Sequence, residues 1–233
     1  MRRNKKGLSA FSYSGKRYRE EAGFYSGLWQ KYRREVVLKL IGENKKVLDV
    51  GCYDGTYLEL INNRNNEVYG IEASSGPVKI CREKGLNVTK GDLERHWSFE
   101  DKFFDVVYAG EVIEHIVDTD FFISEARRVL KKDGSLILTT PNSATLGKRL
   151  LLILGKNPYR EASFSYPPGA VGHLREYSFD LLKNFSESYG FVLQEFTSDV
   201  VNIPFLPSDF KRLLAKIFPR FGRSLIMKFS KSK

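Results

Sequence analysis

Carboxylates and glycines recur through the first half of this chain at places where a ligand would sit. The run Val47-Leu48-Asp49-Val50-Gly51-Cys52-Tyr53-Asp54-Gly55 reads as a strand, a tight turn and the start of a helix. Gly51 and Gly55 carry no Cβ, so the backbone there can come close to a ligand. Their spacing is not G-x-G-x-x-G, the pattern that sets a dinucleotide pyrophosphate on a helix N-terminus. Asp49 at the strand end would repel a pyrophosphate and suits a cationic amino group instead. Glu72 ends a second strand, Tyr69-Gly70-Ile71-Glu72, where a carboxylate can accept hydrogen bonds from both hydroxyls of a ribose. Asp92, in Gly91-Asp92-Leu93-Glu94, follows a third strand. It could receive an adenine amino group while Leu93 offers its backbone N–H.

A second set lies further on. Glu111, Glu114 and His115 follow a fourth strand in Ala109-Gly110-Glu111-Val112-Ile113-Glu114-His115, and His173 stands in a Gly/Pro/Tyr-rich stretch. Together these four could bind Mg²⁺, Mn²⁺ or Zn²⁺, since carboxylate and imidazole are suitable ligands. The alternative is that Glu111 and Glu114 open the next helix, where carboxylates favour the N-terminus, and that His115 packs locally. His96, beside Trp97 in a polar stretch, reads as structural or solvated.

These residues need elements to position them. Leu28, Tyr32, Val36, Val37 and Leu40 recur at helical spacing over Gly27 to Ile41. Strands are expected at Lys46–Val50, Glu67–Ile71, Leu86–Lys90, Phe104–Ala109 and Ser135–Thr139. Helices are expected between them at Asp54–Ile61, Gly76–Lys84 and Asp118–Leu130. Such alternation implies βαβ units and a parallel sheet covered on both faces, with ligands at the carboxyl ends of the strands. Leu146–Leu154 reads as an apolar helix, and Gly155 to Gly172 as a long loop. Ser178 caps a helix that Gly190 ends. Phe191–Thr197 reads as a sixth strand and Ser224–Phe229 as a seventh. On Ser208–Phe218, Phe210, Leu213, Leu214, Ile217 and Phe218 form one face and Lys211, Arg212 and Lys216 the other. Such a stripe ordinarily faces the core, and that is the expectation here. Both apolar helices carry flanking basic residues, as an interfacial helix does.

The 233 residues suffice for one large domain, at 42% hydrophobic and 28% charged. No apolar run approaches the roughly 20 residues of a membrane span. The basic start, Met1 to Lys6, lacks the apolar stretch of a secretory signal. Cys52 and Cys81 form no CxxC, so a cytoplasmic location is expected. Of the net +10, residues 1–35 hold 10 Lys/Arg against 3 Glu and residues 205–233 hold 8 against 1 Asp. The middle holds 20 basic against 24 acidic residues. Basic ends suit an anionic partner, a membrane surface or nucleic acid, or simply keep the termini solvated. A basic arm over 1–26 and a domain over 27–233 follow, with 143–176 as an insertion or lid.

The order VLDVGCYDG, GIEAS, GDLE, FDVVYAGEVIEHI and VLKKDGSLILTTPN resembles the class I S-adenosylmethionine-dependent methyltransferases over residues 28–142. With GHLREYS…YGF it most resembles the branch of ubiquinone-biosynthesis O-methyltransferases. It is also similar to methyltransferases found beside glycan and lipopolysaccharide assembly enzymes. Tyr53 departs from the pattern, standing where many members have glycine. The resemblance implies a doubly wound, Rossmann-like, mostly parallel seven-stranded α/β sheet and S-adenosylmethionine as cofactor. The binding residues it implies are Asp49, Gly51, Cys52, Asp54, Gly55, Glu72, Ala73, Asp92, Leu93, Gly110 and Glu111. Methyl transfer is a displacement in which the enzyme mainly aligns the acceptor, and a hydroxyl acceptor needs a base or a metal. His115 and His173 are the candidate bases, with Arg175 and Tyr177 orienting the substrate or pairing locally. The acceptor expected is a small molecule, a lipid-linked intermediate or a glycan, with peripheral membrane contact as a possibility. The Glu-x-x-Glu-His string also resembles the metal site of small-RNA 2′-O-methyltransferases. That makes an RNA ribose the alternative acceptor and Glu111, Glu114, His115 and His173 the alternative metal ligands. A non-catalytic cofactor-binding protein of the same fold is the third alternative.

Overall fold

The computed structural model describes residues 28–158 and 173–232. The expected arm over 1–26 and most of the loop from Gly155 to Gly172 lie outside them. Helix α1 (Leu28–Ile41) leads into β1 (Lys46–Val50), α2 (Thr56–Asn62), β2 (Glu67–Glu72), α3 (Ser75–Glu83), β3 (Val88–Lys90) and β4 (Phe104–Gly110). Then come α4 (Thr119–Val129), β5 (Leu130–Pro141), α5 (Leu146–Ile153), α6 (Phe179–Ser188), β6 (Phe191–Thr197), α7 (Ser208–Ile217) and β7 (Ser224–Lys231).

The strands form one seven-stranded sheet in the order β3-β2-β1-β4-β5-β7-β6. β1 pairs in parallel with β2 and β4, β2 with β3, and β4 with β5, while β7 runs antiparallel between β5 and β6. The order reverses beside β1, which opens a crevice at the carboxyl ends of β1 and β4. Alternate residues of the central strands face opposite ways. Leu48, Val107, Leu136 and Leu138 pack toward Phe122, Ile123 and Ala126 of α4 and Leu182 of α6. Val47, Val106, Tyr108 and Ile137 pack toward Val37, Leu40 and Ile41 of α1. The near-continuous apolar runs of these strands follow from burial on both faces.

Two expectations need correction. β5 begins at Leu130, because Leu130 pairs with Phe104 before the register shifts and Ser135 pairs with Val106. The polar Lys131-Lys132-Asp133-Gly134 hides that pairing. The apolar stripe of α7 does not face the core. Arg212, from the basic side, lies over the Tyr32 ring at 4.5 Å and pairs with Glu35 at 2.7 Å. Ala215 is buried, whereas Phe210, Leu213 and Ile217 are exposed. A guanidinium stacked on an aromatic ring and paired with a carboxylate docks the helix in place of the apolar face.

Candidate active site

The turn after β1 is held closed by its own backbone. Gly51 N–H donates to the Ile71 carbonyl at 2.8 Å. Gly51 and Gly55 have φ of +73° and +79°, where a side chain is strained. A Cβ at Gly55 would also lie 2.3 Å from Leu86 Cδ1. Asp54 accepts from the Thr56 N–H at 3.1 Å and its hydroxyl at 2.7 Å, which orients the start of α2. Cys52 is buried.

Asp49 and Glu72 close adjacent strands, and both are buried. Glu72 is already fastened: Tyr53 N–H donates to Oε2 at 3.2 Å and Ser74 N–H to Oε1 at 2.7 Å. A carboxylate accepts about four hydrogen bonds, so each oxygen keeps capacity for a hydroxyl. Burial, with Glu72 beside it, pushes the Asp49 carboxyl up to about 8. Ala73 follows Glu72. On the third strand's loop, Asp92 accepts from Glu94 N–H at 3.0 Å and pairs with Arg95 at 3.3 Å, and Leu93 is buried. The cofactor-side residues expected from the sequence therefore lie along the carboxyl ends of β1, β2, β3 and β4.

Beyond β4, Gly110 pairs with Thr139 of β5. Glu111 takes φ +58°, uncommon for a residue with a side chain. Its N–H donates to the Thr139 carbonyl at 2.8 Å, and its Oε1 accepts from the Thr139 hydroxyl at 3.2 Å. The same Oε1 lies 2.6 Å from Arg33 Nη1. Arg33 comes from α1 and is buried, and although burial opposes its charge, Glu111 beside it raises its pKa.

Ile113–His115 is a single 3₁₀ turn that brings Glu114 inward. The Thr140 hydroxyl donates to Glu114 Oε2 at 2.9 Å, while the buried Oε1 has no hydrogen-bond partner among the described residues. Burial, then Glu111 nearby, holds this carboxyl well above the usual carboxylate range. The Glu114 carbonyl accepts from Leu174 N–H at 2.9 Å and Arg175 N–H at 3.2 Å. That clamps the 173–177 segment across the site and sets the His115 and His173 rings edge to face, with centroids 5.0 Å apart. One ligand atom from each of Glu114, His115 and His173 lies within 4.8 Å of the others. Glu111 is not part of that group; its Oε1 pairs with Arg33. Arg175 donates to the carbonyls of Ile116 and Val117, and Tyr177 bridges to Asn142, so both fasten the segment. His96, largely exposed, lies 3.4 Å from Glu125, away from this group.

Sequence reasoning missed Arg33, Thr139 and Thr140, and took Glu176 only as a local partner of Arg175 and Tyr177. Glu176 pairs with Lys148 of α5 at 3.1 Å and lies 3.9 Å from His173. Only Arg33 left a signal: it stands four residues before Val37 on the buried side of α1, where a charge needs a partner.

Residues 48–138 match the family model described as a methyltransferase domain. The chain is 29% identical over 184 residues to a ubiquinone biosynthesis O-methyltransferase of Hahella chejuensis, covering 72% of this chain and 77% of the relative. It is 36% identical over 121 residues to one from Haemophilus ducreyi, covering 48% and 51%. The chain spans about half or less of the length of most of the curated relatives it matches. Among solved structures, a SAM-dependent methyltransferase from Archaeoglobus fulgidus superposes with a TM-score of 0.65 at 19% identity, covering 93% of this chain and all of that one. Residues 48–138 therefore resemble a methyltransferase domain, and the sheet has the fold of that solved SAM-dependent methyltransferase.

Proposed function

We propose that the chain methylates a hydroxyl oxygen of a small-molecule, lipid-linked or glycan acceptor, with peripheral contact to a membrane surface. The cofactor supplies an electrophilic methyl group on a sulfonium. The donor set fits it. Burial, with the Glu72 carboxylate beside it, raises the Asp49 pKa to about 8, an electrostatic environment that favours a cation. Asp49 holds the ammonium of the methionine tail, Glu72 the ribose hydroxyls, and Asp92 with the Leu93 N–H the adenine edge. Gly51, Cys52, Asp54, Gly55, Ala73, Gly110 and Glu111 shape the wall. His115 or His173 takes the proton from the acceptor hydroxyl. The observation that carries the acceptor reading is the imidazole pair, 5.0 Å apart, held at the end of β4 by the 173–177 segment. Residues 143–158 and 173–176 supply the acceptor side through α5, His173 and Glu176.

A second reading has a specific observation behind it. Glu114, His115 and His173 could hold a divalent ion that lowers the acceptor pKa, and the buried Glu114 Oε1 is an oxygen such an ion would satisfy. An RNA ribose is the acceptor that goes with it. Transfer of labelled methyl from S-adenosylmethionine into a lysate, split into lipid, RNA and soluble pools, separates the readings. Label in the lipid or soluble pool, unaffected by chelator, supports the base. Label in nuclease-sensitive material, lost with chelator, replaces it with the metal reading.

A further inference from the structure

Behind the cofactor side of the crevice the chain's only two cysteines meet. Cys52 follows Gly51 in the turn after β1, and Cys81 stands on α3. Both are buried, packed with Leu58, Val78 and Val88. Two glycines leave the sulfurs room. A Cβ at Gly70 would lie 2.7 Å from Cys52 Sγ, and one at Gly55 would lie 3.1 Å from Cys81 Sγ. The two thiols share a hydrogen bond. The Cys81 S–H donates to the Tyr53 carbonyl at 3.1 Å, so the proton between the sulfurs is that of Cys52.

That carbonyl is one end of a short chain of contacts to the cofactor residues. Tyr53 holds φ +48°, uncommon for a residue with a side chain. It is fastened on both sides: its N–H donates to Glu72 Oε2 at 3.2 Å, and its carbonyl accepts from Cys81. Cys81 thus supports, through one residue, the carboxylate assigned to the ribose. A disulfide removes the thiol hydrogen and with it the donor to the Tyr53 carbonyl. Closing from hydrogen-bond contact to a covalent bond also draws α3 toward the turn. The strained backbone of Tyr53 loses one of the contacts that hold it, and its N–H loses its alignment with Glu72.

We propose that Cys52 and Cys81 form an oxidative modification site, closed to a disulfide by a hydroperoxide, and that the disulfide weakens cofactor binding. The second clause rests on the placement of the ribose at Glu72. Burial raises both thiols, and Asp49 and Glu72 raise Cys52 further. At Cys81 the hydrogen bond from Cys52 and the nearby Lys84 act the other way, against Asp54 and Glu72. Cys81 is therefore the sulfur that attacks. Its thiolate forms an S–O bond with the peroxide and the O–O bond breaks. The departing oxygen takes the proton that Cys81 gave up and leaves as water. The Cys52 sulfur then attacks the Cys81 sulfenic acid, the S–O bond breaks, and the hydroxyl leaves with the Cys52 proton as a second water. Two thiols have lost two electrons and two protons, and one peroxide has become two waters. Cys52 belongs to the cofactor wall, so a bound cofactor shields the pair, and the small oxidant reaches the sulfurs when the turn opens in the cofactor-free chain.

The test treats the cofactor-free full chain with hydrogen peroxide and reads its intact mass and its affinity for S-adenosylhomocysteine. The expected product is a monomer two hydrogens lighter, returned to its starting mass by dithiothreitol. Its affinity should fall about tenfold or more and recover on reduction. S-adenosylhomocysteine present during the treatment should slow the change in mass about tenfold or more. Cys81→Ser keeps a hydroxyl donor for the Tyr53 carbonyl. It should bind S-adenosylhomocysteine within about twofold of the unaltered chain and show no loss of two hydrogens. An unchanged mass, a gain of oxygen without loss of hydrogens, a disulfide between two chains, or an internal disulfide that binds S-adenosylhomocysteine as tightly as the dithiol would each overturn the proposal. Mass reads the disulfide whether or not S-adenosylhomocysteine binds, so failure of the cofactor reading and failure of the modification site are separable.

Discussion

The carboxyl edge of the sheet is built on two different principles. On the β3-β2-β1 side Asp49 and Glu72 are buried, and backbone N–H groups of Tyr53 and Ser74 hold Glu72. On the β5 side, residues distant in sequence are brought together. Arg33 reaches Glu111, Thr140 reaches Glu114, and the 173–177 segment folds back to set His173 against His115. Helices α5 and α7 leave large apolar side chains exposed on that side. The Gly51–Gly55 turn and the Glu72 carboxylate are preformed by backbone hydrogen bonds between neighbouring strand ends. The proposed acceptor side depends instead on side chains brought from distant segments.

The largest effect is expected from removing the His115 and His173 imidazoles. His115→Ala and His173→Ala should each lower turnover, by about 10²–10⁴-fold for the one acting as base, with S-adenosylhomocysteine affinity unchanged. Two fully active variants would take both residues out of the chemistry. Next comes Arg33→Gln, which leaves Glu111 without its cation. It should lower stability by about 2–3 kcal/mol in thermal melts. Adding Glu111→Gln should restore part of that loss, because the orphaned charge is gone. Fully additive losses would show that the pair does not couple α1 to the site. On the cofactor side, Glu72→Ala should weaken S-adenosylhomocysteine binding by about 1–3 kcal/mol in calorimetry. An unchanged affinity would move the ribose elsewhere.

A further prediction concerns pH. The folded-state pKa of Asp49 is raised to about 8 from its ordinary 3.8. Its contribution is therefore full below about pH 4 and is lost as pH rises toward 8, where the unfolded chain ionises more readily. The ligand-free protein should melt at a lower temperature at pH 8 than at pH 6, and Asp49→Asn should flatten that slope. An unflattened slope would assign it to another group.

Local patterns made the cofactor side legible. Strands β1, β2 and β4 and the turn Gly51–Gly55 announce themselves through apolar runs, glycines and terminal carboxylates, all within one stretch of chain. The extension of β5 back to Leu130 did not, because its pairing with Phe104 precedes a polar stretch that breaks the register. The orientation of α7 was hidden because amphipathicity tells which residues share a face and not which face docks. Here Tyr32 and Glu35 of a distant helix decide it. Glu111 resembled a metal ligand by spacing, but the fold pairs it with Arg33 and leaves it outside the group of Glu114, His115 and His173.

Whether the Asp49–Glu72 crevice receives a cationic cofactor tail can be read from calorimetry with S-adenosylhomocysteine at pH 7, in two buffers of different ionisation enthalpy. A carboxyl with a pKa of about 8 is mostly protonated at that pH and must ionise against an ammonium. The account predicts binding accompanied by release of close to one proton, with the release abolished in Asp49→Asn. Absence of binding, or binding with the same heat in both buffers, would contradict it.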